Sequence, residues 1–237
     1  MKQVVDRFII KQKNMKKITL SLLAIASGFS FLTPQKASAQ NSQGQSVVTA
    51  GVGVSLVGIL FNSVKDLVNS SPGATLTLKS TPVIIGAYDF GLADHFSIGA
   101  AFSYQQFSSS YTNYTYTNSQ NVTVTGTFSD KVTRINAGIR PLVHFGGSDP
   151  NLDGYMGARI SFTQWSLTTN NPDPYYSVDD SYSFTGLSPI KFQVVLGLRY
   201  FFTELIGGNM EVAFGPSYYF MGGLNFRFGG SGDSPRK

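Results

Sequence analysis

His95 and His144 are the only histidines in the chain. Ser97 follows His95 by two residues and Asp94 precedes it, so the parts of a Ser–His–carboxylate nucleophile set stand close together in sequence. Both histidines fall at strand ends beside short turns. An inward imidazole satisfied by polar neighbours accounts for them without catalysis. Asp149-Pro150-Asn151-Leu152-Asp153-Gly154 opens like a calcium loop, but its twelfth position is Ile160, where a bidentate Glu is required. The run reads as a turn. The glycines of Gly51–Gly58 lack the spacing of a nucleotide loop, and small side chains on a crowded inner face explain them. Cysteine is absent, which removes disulfides, thiol nucleophiles and thiolate metal sites. No motif implies a cofactor or a metal.

A second set of residues has chemistry of another kind. Asp89, Arg134, Arg140, Arg159, Lys191, Arg199, Glu211 and Arg227 all sit on the polar parity of segments that alternate with period two. Ile190, Phe192, Val194, Leu196, Leu198, Tyr200 and Phe202 alternate with Lys191, Gln193, Gly197 and Arg199. Phe96, Ile98, Ala100, Phe102 and Tyr104 alternate with Ser97, Gly99, Ala101, Ser103 and Gln105. The same alternation marks strands at 47–58, 78–91, 131–145, 156–163, 209–215 and 218–228. In the last, Tyr218, Phe220, Leu224, Phe226 and Phe228 form the apolar set. A short helical turn is expected near Ser63–Val68, within the connection 59–76.

The overall charge of +5 would suit a nucleic-acid partner. Its location excludes one. Residues 1–39 carry Lys2, Arg7, Lys11, Lys13, Lys16, Lys17 and Lys36 against Asp6, a net of +6, so the remainder carries −1. From Met15 a basic start, an apolar run and Ala37-Ser38-Ala39 follow the plan of a secretory signal cleaved after Ala39. Met1–Asn14 reads as an upstream extension, and Met15 as an alternative start. No other stretch has the roughly 18 consecutive apolar residues of a membrane helix. An exported chain of this kind is either soluble or spans as a closed barrel.

Three features favour the spanning barrel over a soluble, lipocalin-like one. The apolar face is present on every strand and is rich in Phe and Tyr. The polar face is mostly small enough to fill an eight-stranded interior. Arg134, Arg140, Arg159, Lys191, Arg199 and Arg227 all lie on that polar face, where each avoids the roughly 2–4 kcal/mol cost of meeting lipid at the midplane. Long connections alternate with short ones, except at Gly215-Pro216-Ser217. The expected fold is an all-β, antiparallel, up-and-down transmembrane barrel of about eight strands over 40–228, with 229–237 as a short periplasmic tail.

Together these features resemble the small eight-stranded bacterial outer-membrane β-barrel family of the OmpA/OmpX type. The resemblance implies an outer-membrane location, lipid around the barrel and recognition of the last strand by the barrel-insertion machinery. It also implies a structural or surface-interaction role without catalysis. A narrow anion-preferring pore and a lipid A-modifying enzyme are the alternatives. The Tyr/Ser/Thr/Asn-rich segments 108–129 and 168–186 are expected outside the cell, where an extracellular ligand or surface would meet them, and 146–153 in the periplasm. Within the lumen, counting from the turns pairs Arg199 with Glu211 and sets Arg140 beside Arg159, with Asp89 between them. Asp89 and Glu211 are the only acids counted inward, so a wet but plugged interior is expected.

Overall fold

A strand buried on one side and bathed in lipid on the other must alternate, and it must pair on both edges because lipid offers its backbone no hydrogen bonds. The computed structural model describes residues 41–68, 75–118, 120–145, 149, 151–171, 181–184 and 188–229. The expected signal segment at 1–39 and the tail 230–237 lie outside these residues. The strands are β1 (Gln45–Val54), β2 (Thr75–Ser80), β3 (Val83–Ala93), β4 (Phe96–Thr117) and β5 (Thr123–Phe145). They continue as β6 (Leu152–Asn170), β7 (Ser181–Phe184), β8 (Ile190–Phe201), β9 (Ile206–Phe214) and β10 (Phe220–Gly229).

Eight of them close a ring. Its antiparallel order is β1-β3-β4-β5-β6-β8-β9-β10, and β10 returns to β1 with Val54 opposite Phe220 and Gln45 opposite Gly229. The two remaining strands lengthen existing staves. β2 continues β3 along the far part of β4, and β7 continues β8 along the far part of β6. The fold is therefore the up-and-down eight-stranded barrel that the alternation predicts.

Polarity is inverted relative to a soluble barrel. On β8 the outward side chains Ile190 and Phe192 are 66% and 61% exposed, while Gln193 and Arg199, which face in, are 1% exposed. Along the belt, from Val48 on β1 through Phe228 on β10, the outward rows carry no charged side chain; Lys131, on the outward parity of β5, lies beyond it in the long-strand extension. This belt of Ile, Val, Leu, Phe, Met and Tyr is what a hydrocarbon layer solvates, and water would not tolerate so large a contiguous apolar surface. The chain is a transmembrane β-barrel.

Staves differ greatly in length. β4, β5 and β6 have 22, 23 and 19 residues, against 10 in β1 and 9 in β9. About 9–11 residues suffice to cross the hydrocarbon layer. The surplus of roughly ten residues, at about 3.3 Å each along strands tilted by about 40°, carries a wall roughly 25 Å beyond the belt. Its strand order is β2-β4-β5-β6-β7. Segment 108–129 is thus paired strand and a tight turn. Asn118 Oδ1 accepts from the backbone N–H groups of Gln120 and Val122, both at 3.0 Å. Asn121, at φ 61°, takes the left-handed conformation that Asn tolerates.

Three expectations need correction. The helical turn expected at Ser63–Val68 is a full helix, α1 (Leu56–Val68), and it takes the last residues assigned to the first strand. Ser55 is its N-cap, its Oγ accepting from the Gly58 N–H at 3.0 Å, and this is why strand ends and helix begins without a loop. Tyr218 does not join the lipid face. It precedes β10 and is fully buried in the lumen, and Tyr219 is the exposed neighbour. Part of segment 168–186 is strand, in β6 and β7, and 172–180 with 185–187 lies outside the described residues.

The candidate functional site: a sealed ionic lumen

Each ring strand contributes its inward row to a narrow interior, so side chains from opposite walls touch. Asp89 on β3 lies between two arginines. Its Oδ1 is 3.0 Å from Arg140 Nε on β5, and its Oδ2 accepts from Arg199 Nη2 on β8. Arg199 also reaches Asp153 Oδ2 at 3.5 Å, and Arg140 reaches Glu211 Oε2 at 3.3 Å. Glu211 accepts the hydroxyls of Tyr155, at 2.7 Å, and of Tyr218. The Tyr155 ring stands between the two guanidinium groups, 4.4 Å from Arg199 and 5.6 Å from Arg140. Arg140, Arg199, Tyr155, Tyr218, Glu211 and Asp89 retain at most 2% of their accessible surface.

Charges out of water persist only when partnered, because their desolvation costs several kcal/mol per ion. Here the partnering is shared. Asp89 serves two cations, and the tyrosine ring offers each of them its negative face. Side chains fill this interior layer.

Among the eight charged positions singled out from sequence, Asp89, Arg134, Arg140, Arg159, Arg199 and Glu211 are buried, while Lys191 and Arg227 are half-buried. Their pairing differs from the expected one. Arg199 does not pair with Glu211, because β8 and β9 register Arg199 opposite Asn209 and Gly197 opposite Glu211. Asp89 joins Arg140 to Arg199. Asp153 is a third inward acid, missed because its motif reads as a turn. The turn is real, since Asp149 Oδ1 accepts from the Asn151 N–H at 2.9 Å. β6 begins at Leu152, however, and its parity turns Asp153 inward with Tyr155 and Arg159. No group of three metal-ligating side chains occurs among the described residues.

Arg159 is fully buried and lies 5.8 Å from the Tyr218 ring, and among the described residues no carboxylate is within ion-pair distance of it. Arg134 sits nearer the long-strand end. It crosses the lumen to donate to the carbonyl oxygens of Pro216, at 2.8 Å, and Ser217, at 2.6 Å, and to Gln105 Oε1 at 2.7 Å. Trp165 lies 5.6 Å from its guanidinium carbon, Trp165 stacks on Phe107, and Phe107 meets Phe61 of α1 at 5.4 Å between ring centroids. The short connection at 215–217, exceptional in sequence, is short because it folds inward onto Arg134. Together with α1 it covers this end of the barrel. At the other end, Asn41 Nδ2 donates to the Ala93 and Phe96 carbonyl oxygens, at 2.8 and 3.3 Å. Arg227 lies over the Phe201 ring there, at 4.0 Å, and donates to the Glu204 carbonyl.

A nucleophile-like relay does form, with other members than the sequence neighbours suggest. His95 and Asp94 are exposed and take no part. His144 Nε2 is 2.7 Å from Ser97 Oγ, and its Nδ1 is 2.9 Å from Asp153 Oδ1. Distances of this kind are those of a Ser–His–Asp set. Chemistry needs more than the relay. Ser97 has no exposed surface, and it stands in β4 between paired strands on both sides, opposite Gly91 and Leu142. Its own N–H therefore belongs to the sheet and is not free to hold an oxyanion. The relay gives both ring nitrogens of the buried imidazole a polar partner.

Closed ring, apolar belt and charged, filled lumen define a small β-barrel of the outer-membrane type. No protein-family model and no curated relative matches the chain. Three similar solved structures are all small outer-membrane barrels. They are Ail of Yersinia pestis with the heparin analogue sucrose octasulfate, the N-terminal β-barrel domain of Pseudomonas aeruginosa OprF, and OprG of the same organism. Identities are 9%, 16% and 10%, with TM-scores of 0.41, 0.38 and 0.44. The alignments cover 78%, 79% and 80% of this chain and 99% of each of the others.

Asp89→Asn removes the charge that both arginines share. It should lower unfolding stability in detergent micelles by about 3–5 kcal/mol, the cost of leaving buried cations unpaired. Lys191→Gln, at a half-buried position, should stay within about 0.5 kcal/mol. Equal small effects of the two would show that the lumen network does not hold the barrel together. Ser97 should remain unmodified by a fluorophosphonate probe applied to the folded protein. Labelling that vanishes in Ser97→Ala would show an accessible, activated nucleophile.

Proposed function

We propose that this protein is a non-catalytic outer-membrane barrel whose role is to present a surface outside the cell. Its leader would be cleaved after Ala39, and its last strand would be read by the barrel-insertion machinery. The observation that carries the proposal is the wall built by β4, β5 and β6. It extends far beyond any length needed to cross a membrane, while the lumen beneath it is packed shut. A pore would need an open interior, and an enzyme would need an accessible nucleophile. The wall has neither requirement.

Its composition suits contact. Tyr, Ser, Thr and Asn dominate β4 and β5 beyond Phe107, giving amphipathic area at modest entropic cost. A paired sheet also holds that area rigid, so a partner would not have to order a loop before binding. The long-strand end therefore faces outward from the cell and the short turns face the periplasm. This agrees with export of the N-terminus first into the periplasm, next to the short-turn end where Asn41 is bound.

The test uses the absence of native cysteine. Gln120→Cys at the hairpin tip should react with a membrane-impermeant maleimide on intact cells. Asn151→Cys, in a short turn, should react only after the outer membrane is opened. The reverse pattern would invert the topology, and recovery of the protein in the soluble fraction would overturn the membrane role itself.

A further inference from the structure

The apolar belt does not stop at the end of β1. Val52 and Val54 face outward, 59% and 49% exposed, and the exposed apolar row continues into α1 with Leu56, Val57, Ile59 and Leu60. The helix is attached by its other side. Gly58 is buried beside Gln105, and Phe61 packs on Phe107. A helix of a water-facing loop would turn such residues toward its own support and its polar face outward.

Under the helix the stave is broken. β2 pairs with β4, and at Thr81–Pro82 the chain passes from β2 into β3, which also pairs with β1. A cleft of about 170 Å³ opens between this break and α1. Val54, Ile59 and Pro82 line its apolar side, where Val52 stands opposite the outward-facing Ile84 of the belt. Asn62, Ser80 and Thr81 line its polar side. Lys79, exposed on β2, lines an adjoining cavity that shares Ser80 and Thr81.

We infer that α1 and this cleft form a docking surface for an anionic membrane lipid of the surrounding leaflet. The inference rests on the reading of the chain as a membrane barrel. An acyl chain lies along Val54, Ile59 and Pro82, continuous with the lipid already against Ile84. The headgroup end meets Asn62 and Ser80, and its negative charge lies toward Lys79. α1 is then an interfacial helix lying at the boundary of headgroups and chains, as amphipathic helices of exposed Leu and Ile do. Sequence polarity and level agree: the apolar lining adjoins the belt, and the polar lining adjoins the projecting wall.

Single cysteines test this in nanodiscs of phosphatidylcholine and phosphatidylglycerol. Leu60→Cys carrying a bimane label should lose fluorescence when lipids brominated near the headgroup end of their chains are used, and should resist aqueous iodide. Val194→Cys on the belt should also be quenched by bromolipid, and Gln120→Cys should be quenched by iodide alone. Iodide quenching of Leu60 without bromolipid quenching, while Val194 still responds, would overturn the inference and leave the barrel reading intact. Failure of Val194 to respond would overturn the barrel reading. Native mass spectrometry should show phosphatidylglycerol retained over phosphatidylcholine, with the preference lost in Lys79→Glu. Equal retention of the two lipids by the unaltered protein would remove the role given to Lys79.

Discussion

Asp89 placed between Arg140 and Arg199 is the interaction on which the rest of the lumen depends. Three staves distant in sequence meet at one carboxylate, and each arginine then takes a second acid, Glu211 for Arg140 and Asp153 for Arg199. The reason such a network exists lies outside the barrel. Lipid takes the apolar rows, so every charged side chain in the spanning strands must share the interior. Eight strands leave that interior too narrow for bulk water. The charges must solvate one another, and Tyr155 and Tyr218 complete the solvation with hydroxyls and ring faces.

From that constraint the two ends follow. The arginine left without an acid near the long-strand end, Arg134, binds backbone carbonyls of the 215–217 turn and draws it inward, and Phe107, Trp165 and Phe61 close over it. The wall of β4, β5 and β6 can then rise from a rigid, sealed base.

Strand existence, parity and the inward place of Asp89, Arg134, Arg140, Arg159, Arg199 and Glu211 were legible in sequence, because a membrane barrel punishes a charge on the wrong face. Pairing was not. Counting back from 204–208 misplaces Arg199 by one inward step along β9, and long guanidinium side chains also reach across the barrel to partners no hairpin register specifies. Asp153 is hard to place from sequence because Asp, Asn, Pro and Gly announce a turn more loudly than one residue announces a strand, although it shares the parity of Arg159. Tyr218 is deceptive in sequence for a related reason. An aromatic residue beside a strand that ends in aromatics reads as lipid-facing, yet its hydroxyl needs the polar partner that Glu211 supplies. The helix after β1 was underestimated because its apolar residues face outward, a pattern that hides a helix boundary when the preceding strand is apolar on the same side.

Whether the lumen is sealed by ions solvating one another is read most directly from the arginine side chains themselves. Nuclear magnetic resonance of the barrel in lipid nanodiscs can follow exchange of each guanidinium Nε–H with water. Arg140 and Arg199 should exchange far more slowly than the half-buried Arg227, with contacts from their guanidinium protons to the Tyr155 ring. Exchange of all three at a common, water-like rate would contradict the account, because it would place water where the ion network is said to exclude it.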